Sequence, residues 1–210
     1  MDPTTWFAFV AASIALLLVP GPTVLLVLAY AISKGKRIAV PTAFGVATGD
    51  LIAMTASLAG LGALVMTSAT LFTALKWAGA IYLVWLGSRM ILSAKDAEID
   101  LPQAKGALTP KSAFANAATV TALNPKSIVF FIAFVPQFVE TDAAFVPQAS
   151  ILIATFVTLA ALNALAYAVL ADRLRATIKR PSVIGWLTRA GGGMLIAMGV
   201  ATATLRRSTS

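Results

Sequence analysis

Six apolar runs, each of about twenty residues or more, constrain this chain more than any other feature. They cover Thr5–Ser33, Ile38–Met66, Leu71–Leu92, Ser112–Phe138, Gln148–Ala171 and Val183–Leu205. A helix of about 20 residues crosses a bilayer core of about 30 Å, and it satisfies its own backbone hydrogen bonds where lipid offers no partners. The expected fold is therefore an all-α integral membrane protein of six transmembrane helices. These use most of the 210 residues and leave no room for a soluble domain. Composition points the same way: 59% of residues are hydrophobic and 11% charged, where a soluble domain carries about 25% charge. The run after Trp6 outlasts the apolar core of a cleaved signal peptide, about 7–15 residues, and is expected to remain as a span.

Lys and Arg positions set the expected orientation, because basic loops stay in the cytoplasm. Lys34, Lys36 and Arg37 follow span one; Arg89, Lys95, Lys105 and Lys111 follow span three; Arg173, Arg175, Lys179 and Arg180 follow span five. The opposite side has Lys76, just inside span three, and Arg206 and Arg207 in the tail. Both termini are thus expected on the non-cytoplasmic side. The connector 93–111 is charged, contains Pro102 and Pro110, and reads as a cytoplasmic loop. The net charge of +8 falls in short clusters rather than along one face, which argues against nucleic acid as a partner. With no Cys and no His, disulfides, thiolate or imidazole metal sites, Cys nucleophiles and a Ser/His/Asp triad are excluded.

The two halves of the chain match in places. Leu75, Ala78, Gly79, Leu83 and Gly87 in span three align with Leu187, Ala190, Gly191, Leu195 and Gly199 in span six, at a constant offset of 112. Small residues are common in membrane helices, so this match alone decides little. The first span of each half adds a shared interruption: Pro20-Gly21-Pro22 in span one and Asn124-Pro125-Lys126 in span four. Three spans per half means that the second half enters the membrane from the other side. Two inverted three-helix repeats are expected, residues 1–92 and 112–210, in a single transmembrane domain over 1–210. That plan recurs in transporters. A proline inside a helix removes one hydrogen bond and clashes with the carbonyl one turn back, at about 3 kcal/mol. A packed kink would explain one such break. Two at matching places, with Asn124 set as an N-cap before Pro125, point to a site. Each break starts a half-helix whose N–H groups and positive dipole end suit a carboxylate, with the Thr23 and Ser127 hydroxyls beside it.

Two charges lie deep in the apolar runs. Lys126 is about fourteen residues into span four, about 20 Å from its start at 1.5 Å per residue. Asp50 is at comparable depth in span two, behind Gly45 and Gly49. Each costs about 3 kcal/mol on insertion scales. A structural Asp50–Lys126 ion pair that fixes helix packing would offset much of that. The alternative is that the two meet a zwitterionic substrate or carry a proton. Gly45-x-x-x-Gly49 suits a close helix contact and also delivers Asp50 to the interior. Asn163 in span five matches Asp50 in the repeat, either as a ligand or as an interhelical hydrogen-bonding residue. Trp6 and Trp186 fit interface belts, and Gly191-Gly192-Gly193 permits tight backbone packing.

At these residues the sequence resembles the lysine exporter family, the LysE/RhtB group of bacterial amino-acid exporters, across essentially the whole chain. The resemblance rests on Pro20-Gly21-Pro22, Gly45-x-x-x-Gly49-Asp50, Asn124-Pro125-Lys126 and the six-span length. It implies efflux of an amino acid or close derivative across the bacterial inner membrane by proton antiport, with neither cofactor nor metal, and it leaves the amino acid unnamed. On that reading the substrate sits at midplane between the halves. Its carboxylate lies near Pro20, Gly21, Pro22 and Thr23 and near Asn124, Pro125, Lys126 and Ser127; its ammonium lies at Asp50, which also carries the coupling proton. Gly45, Gly49 and Asn163 are secondary candidates, and the glycine-rich faces admit a homodimer. The runner-up is an exporter of a metal or other inorganic cation on a similar scaffold. Absent Cys and His, and with one intramembrane Asp as a hard-cation ligand, it is the weaker reading. No nucleophile-and-base constellation is visible, so the chain reads as a transporter and not an enzyme.

Overall fold

The computed structural model describes residues 1–18, 21–67, 69–94, 108–140, 143–178 and 181–204. All regular structure among them is helical. Helices α1 (Pro3–Leu18) and α2 (Pro22–Lys34) flank the first break, followed by α3 (Lys36–Thr67) and α4 (Ala69–Ser93). Helices α5 (Pro110–Ala122) and α6 (Pro125–Val129) flank the second, and α7 (Phe145–Ile178) and α8 (Pro181–Thr204) follow. Each apolar run of the sequence coincides with one helix or one broken pair. Lys36–Gly60 of α3 and Phe145–Ala171 of α7 are long and apolar enough to cross a membrane singly. The α1–α2 pair, bent by 56°, and the pair Pro110–Ala122 with Pro125–Phe138, bent by 43°, qualify when each is taken as one span. Pro20, much of the charged connector (95–107), Lys179, Arg180, Arg206 and Arg207 lie outside the described residues.

Local chemistry accounts for the ends that frame the breaks. Proline occupies the first turn of α2, α5 and α6, where its missing N–H is not needed and its fixed φ favours the helix. Thr109 caps α5 with a reciprocal pair: its Oγ1 accepts from the Ser112 N–H at 3.1 Å, and Ser112 Oγ accepts from the Thr109 N–H at 3.0 Å. Asn124 caps α6, its Oδ1 accepting the Lys126 N–H at 3.1 Å. Gly21 precedes α2 and offers no capping side chain. A single residue, Gly35, joins α2 to α3 with φ of 70°, a left-handed conformation that favours glycine.

The apolar core falls into two clusters. One gathers Phe9 and Leu16 of α1, Met54 and Leu58 from the second half of α3, Phe130 to Phe138, and Leu152 and Phe156 from the first half of α7. The other gathers α2, the first half of α3 (Ile38 to Val46), Ala113 and Ala117 of α5, and Ala164 to Ala171 of α7. Beyond α6 the helix widens to a π-helical turn, Phe130–Phe134, then tightens to a 3₁₀ turn, Val135–Phe138. Phe130 and Phe131 both lie against the ring of Phe156. Glycines set the closest helix contacts. A Cβ on Gly45 or Gly49 of α3 would strike the α5 carbonyls of Phe114 or Ala118, and Gly87 of α4 faces the backbone of Gly192 in α8.

Candidate functional site

Between the two core clusters the chain breaks and its polar side chains collect. Asp50 is 2% exposed near the middle of α3, Asn124 4% and Ser127 6%. A cavity of about 30 Å³ lies among them, with Thr23, Asp50, Asn124, Lys126, Ser127 and Asn163 on its walls. Leu17, Val24, Val27 and Val46 complete much of the lining, with Ala160, Ala164 and Tyr167 of α7. That volume holds about two waters. An amino acid enters only if the helices part.

A short chain of hydrogen bonds ties the two breaks together. Asn124 Nδ2 donates to Thr23 Oγ1 at 3.4 Å, and Thr23 Oγ1 lies 3.3 Å from Thr121 Oγ1. The side chain that caps the second half-helix therefore also reaches the first turn of the opposite one. Gly21, Pro22 and Pro125 shape the breaks from the backbone and do not line the cavity.

Lys126 does something the sequence pattern did not suggest, and Asn163 makes the interhelical hydrogen bond that was one of its two readings. Lys126 Nζ donates to the carbonyl of Leu16, and Asn163 Nδ2 to the carbonyl of Leu17, both at 3.2 Å. In a continuous helix the Leu16 carbonyl would receive the N–H of residue 20, which is proline and has none. Lys126 supplies the missing donor, and as a cation at a helix C-terminus it also meets the negative end of the α1 dipole. The breaks are thus cross-linked: a residue at the start of one half-helix closes the end of the other. Asn163 works here as an interhelical hydrogen-bonding residue while still facing the cavity. Gly45 and Gly49 lie outside the lining and act through packing, holding α3 against the backbone of α5 beside Asp50.

The pattern reading missed Tyr167 and the small apolar residues beside it. Ala160, Asn163, Ala164 and Tyr167 follow at spacings of three, one and three, which places them on one face of α7. That spacing was legible once Asn163 was suspected.

A family model described as LysE type translocator matches residues 14–206, a range that includes every candidate named above. The chain belongs to this family. It is 35% identical over 208 residues to the homoserine/homoserine lactone efflux protein of Salmonella typhimurium, covering 97% of this chain and 98% of that one. It is 33% identical over 211 residues to an uncharacterized membrane protein of Vibrio cholerae, over 98% of this chain and 100% of that one. Against the leucine efflux protein of Klebsiella pneumoniae it is 32% identical over 142 residues, 66% of this chain and 65% of that one. No solved structure matches the chain. Family membership and the long apolar helices make this LysE-type translocator a multi-pass membrane protein.

Proposed function

We propose that this translocator exports an amino acid or close derivative from the bacterial cytoplasm by proton antiport, using alternating access between two inverted halves. The observation that carries this reading is the cavity at the meeting of two helix breaks. It holds one carboxylate, Asp50, one ammonium, Lys126, and the first turn of α2 with no capping side chain. Those groups complement a zwitterion. The ammonium of the substrate goes to Asp50. Its carboxylate goes to Lys126 and the Thr23 and Val24 N–H groups, which a helix start leaves without intrahelical acceptors. The efflux relatives support an amino-acid cargo.

The inverted halves have support in how α4 meets α8. Gly87 approaches Gly192 and Ile196, while Gly199 approaches Ala80 and Val84. Adding the offset of 112 to Ala80, Val84 and Gly87 gives 192, 196 and 199. Each contact therefore has its mate under exchange of the halves, as a pseudo-two-fold axis requires. The contacts also run antiparallel. With six spans and the basic connectors inside, both termini lie on the outer side.

Coupling follows from competition at one oxygen pair. Asp50 binds either the substrate ammonium or a proton. A proton arriving from the outer side releases the substrate outward; loss of that proton to the cytoplasm readies the carboxylate for the next one. The test is counterflow in proteoliposomes with a panel of labelled amino acids, with and without an imposed proton gradient, in wild type and Asp50→Asn. Saturable flux of one class, driven by the gradient in wild type and not in Asp50→Asn, is expected. No flux across the panel in folded protein would refute the reading.

A further inference from the structure

The cavity is two-sided in a way that bears on which amino acids fit. Three helices each place a polar residue at the breaks and an apolar or aromatic one four residues away, about 6 Å along the axis: Thr23 and Val27 on α2, Asp50 and Val46 on α3, Asn163 and Tyr167 on α7. The second residue of each pair lies toward the Gly35 end of α2 and α3. There Val27, Val46 and Ala164 belong to the same apolar cluster. Among the described residues that line the cavity, Asp50 is the one carboxylate. Tyr167 is partly buried, and its hydroxyl makes no hydrogen bond to any described residue.

We infer that Ala164 and Tyr167 of α7, together with Val27 and Val46, form the side-chain subsite and select short, uncharged side chains. This rests on the exporter reading, in which Asp50 takes the α-ammonium. Once it does, no second carboxylate remains for a basic side chain, and burying an unpaired cation there is strongly disfavoured. Ala164 sets how much side chain fits. The Tyr167 hydroxyl offers a side-chain hydroxyl a partner on the cavity wall, so a small hydroxylated side chain is accommodated as well as an aliphatic one.

The experiment is counterflow in proteoliposomes with labelled alanine, threonine, leucine and lysine, in wild type, Ala164→Leu, Ala164→Gly and Tyr167→Phe. Wild type is expected to carry the neutral substrates, with lysine at least about a hundredfold less efficient. Ala164→Leu is expected to raise the apparent KM for leucine about tenfold more than that for alanine, the scale of a methylene-sized misfit in an apolar pocket. Ala164→Gly, which adds no atoms, is expected to shift the leucine-to-alanine ratio the opposite way, so the inference stays testable if the leucine variant misfolds. Tyr167→Phe is expected to weaken threonine relative to leucine. Equal changes for every substrate would make these residues a gate and overturn the assignment, as would efficient lysine transport by wild type. Wild type that carries no amino acid refutes the exporter reading and this one with it; wild type that carries them while the variants leave the ratios unmoved refutes the subsite alone.

Discussion

Gly49→Ala perturbs the framework that holds the site at the residue next to Asp50. A Cβ at Gly49 would lie 2.6 Å from the Ala118 carbonyl oxygen, 2.7 Å from Thr121 Cβ and 3.0 Å from the Ala122 nitrogen. Two of these atoms are α5 backbone and cannot rotate away, so α3 and α5 must separate by about 1 Å to reach ordinary contact distances. Overpacking costs about 1–3 kcal/mol, and a rigid backbone neighbour puts this case near 3. Alanine returns about 1 kcal/mol in helix propensity. The net loss is about 2 kcal/mol, a drop of about 4–8 °C in Tm for a chain of this size. The same separation shifts Asp50, the next residue, on the cavity wall that it shares with Thr23 and Asn124. A misplacement of about 1 Å can cost about a hundredfold in rate, so counterflow should fall by more than the stability loss explains. Gly193→Ala is the matched control: a Cβ there meets nothing within 4 Å, and its Tm should hold or rise. Thermal unfolding of both variants in detergent, alongside their transport, decides the matter. A Gly49→Ala protein as stable and active as wild type would refute the close-contact argument.

Other outcomes are expected from the same geometry. Asn124→Ala removes the cap of α6 and the contact to Thr23, and should lower stability by about 1–2 kcal/mol, read as a fall in Tm. Asn163→Ala leaves the Leu17 carbonyl without its donor, at about 1–3 kcal/mol; an unchanged Tm would show that this carbonyl has another partner. For orientation, the chain has no native cysteine, so Ala97→Cys and Ala143→Cys can be probed separately in intact cells with a membrane-impermeant thiol reagent. Labelling of Ala143→Cys and protection of Ala97→Cys is expected, and the reverse pattern would invert the topology.

The helix breaks were legible because proline and its neighbours leave an unambiguous signature. Pro22, Pro125 and the Asn124 cap fall where the sequence put them. Asp50 and Lys126 stood out because charge is rare in apolar runs. The acceptor of Lys126 was harder to see, since it is a backbone carbonyl; only counting back four residues from Pro20 exposes the orphan at Leu16. The cavity face of α7 was hidden for a different reason. In lipid both faces of a helix are apolar, so Ala160 and Ala164 facing a cavity look the same in sequence as Leu162 facing outward. The π-helical turn at Phe130–Phe134 contains no proline or glycine, and its one local signal is Pro136 just beyond it, which cannot donate to the Ile132 carbonyl. It accompanies the packing of Phe130 and Phe131 on Phe156 and of Ala133 against Gly79 of α4, contacts that exist only once the chain is folded.

The central claim is that the substrate passes through the cavity between the breaks. Ser127 lines it and is 6% exposed, so Ser127→Cys becomes a single reporter thiol in an otherwise cysteine-free chain. The measurement is its alkylation rate in proteoliposomes as a function of amino-acid concentration. A transported amino acid should slow the reaction, with half-protection at the concentration that half-saturates its transport in the same variant, while a non-transported one leaves the rate unchanged. A transported amino acid that saturates flux without altering the rate at Ser127→Cys would place the substrate elsewhere and contradict the account.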